Sequence, residues 1–458
     1  MTREMQMKRK ARGAITISFF VLILAWLPWV ISYLPGSDCP DLGGQLRQFL
    51  GITDYSTHHP IVSTLIYGTI YSIGMLLGSG DFGYLFIVIV QTLGFAAVCA
   101  YEAYEVGVLT NSHTAYRITI AFFAILPVFG SYCQWCVKDS LFAIAFGLYA
   151  TLVAMCVINP NKFFESKRQL TGLCMAAIAT GLLRNNGLYA VAFSLPFLAL
   201  LRPKGKRFRM TIILIVTVLI ILITNATVKI VTNASSDTIK ESFSIPFQQT
   251  ARYVREHSDE VTDSEREAIN AVLDYENLAT LYNEDTSDPV KATYKSTATM
   301  QDVIRYLRTW ISQGLKSPKC YLCATLRQTY GYWYPEQGIA THDFEFCAYV
   351  MFENVAELRD TTYWMPEALR TFCQNWRKIF NAIPIAGYFL TPGIYTWLLV
   401  LEAGYLVWRK KTQNLLILLP CIVLTLTCIA GPLNGSVRYS LGVITAMPVC
   451  LAASMFTS

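Results

Sequence analysis

Apolar stretches about as long as a bilayer is thick recur from one end of this 458-residue chain to the other, and nothing else restricts its fold as strongly. Composition agrees: 53% of residues are hydrophobic and 15% charged, where a soluble domain carries roughly a quarter charged. The expected fold is an all-α polytopic membrane protein. The first apolar run, Gly13 to Leu34, follows a basic segment ending Lys8-Arg-Lys-Ala-Arg12. It is too long for a signal-peptide core, and no small-residue cleavage pattern follows it, so it reads as a retained helix.

The net charge of +6 comes largely from clusters that abut apolar segments, so its first use is orientation by the positive-inside rule, not nucleic-acid binding. Apolar segments are read at 14–34, 60–78, 82–104, 117–131, 140–158, 170–201, 210–231, 392–408, 414–430 and 440–456, with 170–201 interrupted by Arg184-Asn-Asn-Gly187. The basic clusters Lys162–Arg168, Arg202–Arg209 and Arg409–Lys411 fall on the side of the N-terminus only if one early segment does not cross. The best candidate is 60–78, which would lie in the interface. That predicts about 10 transmembrane helices, interfacial helices in the first exterior loop, and both termini cytoplasmic.

Residues 232–384 form the one sizeable polar block, expected to be a mainly helical exterior domain between an N-terminal module (1–231) and C-terminal helices (385–458). Thr262-Asp-Ser-Glu265 resembles a capping box opening a helix over Arg266–Tyr282. Gln301–Leu315 carries apolar residues at helical spacing. Asn283–Pro289 is a turn-rich break, and Tyr330-Gly-Tyr-Trp-Tyr-Pro335 suggests a domain seated on the membrane. The thirteen cysteines are scattered. Two pairs, Cys133/Cys136 and Cys320/Cys323, have redox or half-zinc-site spacing, but no His or Cys companion lies close by in sequence, so no metal ligand is assigned.

Four polar clusters are candidates for chemistry: Asp38 and Asp41 with Arg47 and His58-His59, then Lys138-Asp139, then Arg184-Asn185, and last Asn434-Gly-Ser-Val-Arg438-Tyr. Ionisable groups between hydrophobic segments are costly to place and usually serve a site. Carboxylates can activate a hydroxyl, and lysine and arginine can neutralise phosphate, arginine through fork-like contacts. Each has a plainer reading. Asp38 and Asp41 suit an ordinary loop, with Asp41 capping a short helix after Pro40. Lys138-Asp139 suits an interfacial ion pair, Arg184 a structural salt bridge, and the two histidines a loop.

These features resemble the GT-C superfamily of integral membrane glycosyltransferases, closest to uncharacterised bacterial members. The resemblance rests on an acidic first exterior loop followed by His58-His-Pro-Ile-Val-Ser, on Lys138-Asp139-Ser-Leu-Phe-Ala in the second loop, and on Leu183-Arg-Asn-Asn-Gly and Val437-Arg-Tyr-Ser. It implies an inverting glycosyltransferase in a bacterial plasma membrane. Such an enzyme takes a sugar from a polyprenyl-phosphate donor to a cell-envelope glycan, lipid or protein acceptor at the outer face. The family position of the catalytic acid falls on Asp41, with Asp38 second and Asp139 in the second-loop acidic place. His58, His59, Lys138, Arg184, Asn185 and Arg438 are the expected substrate contacts, with histidines standing where several relatives place lysine. No cofactor is assigned, though some relatives use a divalent metal. The competing readings are a transporter or flippase of lipid-linked substrates and a non-enzymatic envelope assembly protein.

Overall fold

The computed structural model describes residues 3–202, 204–235, 238–335 and 356–455, with side chains from Arg12 onward. The basic N-terminal side chains, part of the Arg202–Arg209 cluster and residues 336–355 of the polar block lie outside the described residues. Among the described residues the regular structure is helical, with isolated bridges and no strand.

Among the described residues, six helices are long and apolar enough to cross a membrane: Arg12–Ser32, Gly80–Leu109, Lys138–Ile158, Arg207–Val231, Thr412–Ile429 and Val437–Met455. A seventh span is made if His113–Ile125 and Pro127–Gln134, bent by 52°, count together. This is fewer than the ten crossings read from the sequence, and the differences are local. Leu126 precedes Pro127 and adopts an extended conformation, as the clash with a following proline ring requires. Arg184, also extended, separates Lys167–Leu183 from Asn185–Ala192. Ile61–Met75 has 15 residues and Pro392–Trp408 has 17, short of the roughly 20 that span hydrocarbon unaided.

Burial sorts the helices into a centre and a rim. In the most apolar 18 residues of Lys138–Ile158 and of Val437–Met455, which pack together, 78% are buried, against 22% in Arg12–Ser32 and 17% in Arg207–Val231. The rim helices leave Ile17, Phe20, Leu24, Ile212, Ile215 and Leu219 bare. An apolar face of this kind suits lipid and is unfavourable in water.

The bend at Pro127 positions the candidate loops. It carries Gln134–Cys136 against the loop after the first span, where Ser37 and Trp135 form a parallel bridge, Ser37 N–H donates to Gln134 O at 3.1 Å and Cys136 N–H to Ser37 O at 2.8 Å. The start of Lys138–Ile158 is thereby pinned beside Pro40–Phe49.

The polar block has its own apolar core around Phe247, Tyr253, Ile269, Leu278 and Tyr306. Thr262 and Glu265 form the expected capping box, but the helix they open, Asp263–Asn270, stops early and a separate helix, Tyr275–Leu281, follows. Helix Met300–Lys316 matches the periodicity and opens with a capping box of Thr299 and Asp302. The block is tied to the turn before the last helix: Asn434 N–H donates to Asp285 O at 2.8 Å, Gly331 N–H to Asn434 Oδ1 at 2.8 Å, and Ser287 N–H to Pro432 O at 3.0 Å.

Candidate functional site

Five helices begin at one place. Asp41 lies in the first turn of Pro40–Phe49, His59 just before Ile61–Met75, Lys138 and Asp139 open Lys138–Ile158, Arg184 caps Asn185–Ala192, and Arg438 is the second residue of Val437–Met455. Helix N-termini carry partial positive charge and unpaired N–H groups, so their convergence makes a setting for an anion. The N-cap of Pro40–Phe49 is Cys39, whose sulfur accepts from Leu42 N–H at 3.4 Å, rather than Asp41.

The side chains form one connected network. Lys138 Nζ is 2.8 Å from Asp41 Oδ2 and 2.6 Å from His59 Nδ1. Arg438 bridges the two carboxylates, with Nη1 3.2 Å from Asp41 Oδ2 and Nε 3.5 Å from Asp139 Oδ2. Arg184 Nη1 lies 2.5 Å from Asp139 Oδ1, and its guanidinium sits 4.4 Å over the Tyr439 ring and 5.6 Å from that of Phe142. Arg438 also faces Tyr439, at 5.1 Å. Three cations thus stand against two carboxylates, a surplus of positive charge that suits an anion and not a divalent cation.

Depth separates the two acids. The Asp41 side chain is 21% exposed and that of Asp139 is fully buried. Burial opposes the charged form of Asp41, but the Lys138 ammonium and the Arg438 guanidinium outweigh it and hold the carboxyl well below the usual carboxylate range. Burial, reinforced by Lys138, pushes the His59 imidazole well below its usual value. His59 is therefore neutral and accepts from the ammonium at Nδ1, leaving its proton on Nε2.

Asp38, though three residues from Asp41, lies outside this network. Its Oδ1 accepts from the Tyr84 hydroxyl at 2.9 Å, and its backbone carbonyl accepts from Trp135 Nε1 at 3.1 Å. Burial pushes its carboxyl up to about 7, against the opposing Tyr84 hydrogen bond and Arg359 charge. His58 turns outward to Glu241 Oε1 at 3.0 Å, a carboxylate that also holds Lys291 at 2.7 Å. Asn185 is exposed and joins none of the network's described contacts.

Two features went unread in the sequence. Tyr439 serves both arginines as a ring face, for which its position beside Arg438 was the available signal. Asp81 accepts from the backbone N–H of Asp360 and Thr361 at 3.1 and 3.2 Å, from the Thr361 hydroxyl at 2.5 Å and from Trp364 Nε1 at 3.1 Å. It thereby fixes the 358–364 loop, whose Arg359 donates to Gly36 O at 2.8 Å. Asp81 carried no pattern to mark it, because its partners lie roughly 280 residues away.

A cavity of about 790 Å³ lined by Asn159, Lys410, Lys411 and Gln413 opens at the Ile158 end of Lys138–Ile158, the opposite end from the charged network.

The chain belongs to a protein family of unknown function, DUF6020, whose model matches residues 51–457. The match takes in His59, Lys138, Asp139, Arg184 and Arg438, and begins after Asp41. No curated protein and no solved structure matches the chain.

Proposed function

We propose that this DUF6020 member is a GT-C-type membrane glycosyltransferase that passes a sugar from a polyprenyl phosphate to a cell-envelope acceptor at the outer face of a bacterial plasma membrane. Both termini would be cytoplasmic, with Ile61–Met75 lying in the interface and about ten crossings in all. The observation that carries the reading is that Asp41, the more exposed of the network's two acids, is paired with both Lys138 and Arg438.

A carboxylate paired with two cations is a weak base at neutral pH, so Asp41 must first be released. A lipid phosphate entering at the five helix starts would draw Lys138 and Arg438 to its own oxygens, and Asp41, left with fewer cations, becomes more basic. The acceptor hydroxyl then attacks the sugar's anomeric carbon and its proton passes to Asp41. The bond from that carbon to the phosphate oxygen breaks, and the lipid phosphate leaves with the electron pair, its charge met by Lys138 and Arg438. Single displacement inverts the anomeric centre. Asp139, fully buried, holds Arg184 and Arg438 in place.

The test is transfer of labelled sugar from a panel of polyprenyl-phosphate donors by the purified full-length protein and by Asp41→Asn. Transfer that is lost in Asp41→Asn supports the assignment; full transfer by that variant removes Asp41 as base. Glu102 and Glu402, buried within Gly80–Leu109 and Pro392–Trp408, favour a second reading as a transporter. Movement of a fluorescent polyprenyl phosphate across vesicles holding the protein, with no sugar transfer, would establish that reading.

A further inference from the structure

We propose that Glu256, His257 and Cys320 form a divalent-metal site of the zinc class on the polar block, separate from the charged network. Glu256 ends helix Ser244–Glu256, His257 follows it, and Cys320 lies in the first turn of Pro318–Thr329. One ligand atom from each comes within 4.8 Å of the other two. In a tetrahedral zinc site with metal–ligand bonds of about 2.0–2.3 Å, such atoms stand roughly 3.3–3.8 Å apart. The contraction needed falls on Glu256 and His257, whose side chains are 35% and 26% exposed, while Cys320 is buried.

The surroundings match what metal ligands require behind them. His257 Nδ1 is 3.0 Å from Glu260 Oε1, which places the proton on Nδ1, and Nε2 accepts from the Ser317 hydroxyl at 3.2 Å, a hydrogen bond that a metal would displace. Carboxylate-backed histidines are the usual arrangement at zinc. Glu256 Oε1 is paired with Arg252 at 2.9 Å and lies 3.9 Å from Arg255, so Oε2 is the oxygen left for a metal. Cys320 lies buried beside the Glu256 carboxylate. A cation would replace the thiol proton: the sulfur–hydrogen bond breaks, the proton goes to solvent, and the thiolate pair binds the metal. The mixed sulfur, nitrogen and oxygen set selects zinc over magnesium or calcium, which take oxygen ligands.

The spacing of Cys320 and Cys323 was the only trace of this site in the sequence. Its histidine and glutamate companions lie more than sixty residues upstream, brought in by the packing of Ser244–Glu256 on Pro318–Thr329.

The test uses full-length protein in detergent, reduced, stripped with chelator, equilibrated with zinc chloride and desalted before elemental analysis. About one zinc per chain is expected, falling to background in His257→Ala and Cys320→Ser and retained in Cys174→Ser. Cobalt(II) in place of zinc gives a sulfur-to-metal charge-transfer band in the unsubstituted protein that only Cys320→Ser removes among the two cysteine variants. Absence of bound zinc, absence of that band, or undiminished zinc in both site variants would overturn the proposal.

Discussion

Arg438 and Asp41, 397 positions apart in the chain, meet at 3.2 Å, and the same guanidinium reaches Asp139 at 3.5 Å. One side chain from the last helix thereby ties the first loop to the start of a central helix. Asp41 is in consequence both the accessible acid and a restrained one.

That restraint makes a kinetic prediction. Asp41→Asn is expected to lower sugar transfer by about two to four orders of magnitude, the usual worth of a positioned base. Arg438→Lys keeps a charge but loses the fork that reaches both carboxylates, and is expected to raise the KM for the lipid donor more than it lowers kcat. Steady-state kinetics over donor concentration separates the two effects.

Asp139 lies fully buried between two guanidinium groups. Asp139→Ala leaves both cations without their shared partner and is expected to cost about 3–5 kcal/mol. Arg184→Gln added to it should recover part of that loss, because one uncompensated charge is then gone. Thermal unfolding in detergent of the single and double variants reads the coupling, and strictly additive losses would mean the two do not act together.

Asp38 predicts a pH dependence of the opposite kind to that of Asp41. Its folded-state carboxyl is raised to about 7 from 3.8, so its contribution is complete below 3.8 and is lost as pH rises toward 7. The loss amounts to about 4 kcal/mol at most, one unit being worth about 1.4 kcal/mol. Between pH 5 and 7.5 the unsubstituted protein should lose melting temperature relative to Asp38→Asn, which can still accept the Tyr84 hydrogen bond. A constant gap between the two over that range would refute this.

Gly187 sits where the polar break turns back into helix. A Cβ there would meet the Thr180 carbonyl and the Phe142 ring. Gly187→Ala should therefore displace Arg184 from Asp139 and lower the melting temperature by an amount matching a loss of about 1–3 kcal/mol, as overpacking does. Asn185→Ala, at an exposed neighbouring position, serves as the neutral comparison.

Much of this protein was legible in order of residues alone, because a bilayer imposes its thickness directly on the chain. The spans at 82–104, 140–158 and 210–231 correspond to helices Gly80–Leu109, Lys138–Ile158 and Lys204–Val231. Local rules served the capping box at Thr262 equally well, since its partner is three residues away. The break at Arg184 was visible too, as a charge within apolar sequence. Sequence reasoning also selected the residues that come together: Asp41, His59, Lys138, Asp139, Arg184 and Arg438. The family resemblance ranked Asp41 before Asp38, but no physical distinction in the sequence separates two residues three positions apart and chemically alike. That separation came from packing: Tyr84 and Trp135 enclose Asp38, while Lys138 and Arg438 flank Asp41 at the more exposed edge. Nor could sequence reasoning pair Asp81 with the 358–364 loop or bring Glu256 and His257 to Cys320. Apolar length and helix caps are written within a few turns of chain, whereas the ionisation of a carboxyl depends on charges and burial supplied by helices hundreds of residues away, which exist only once the bundle has closed.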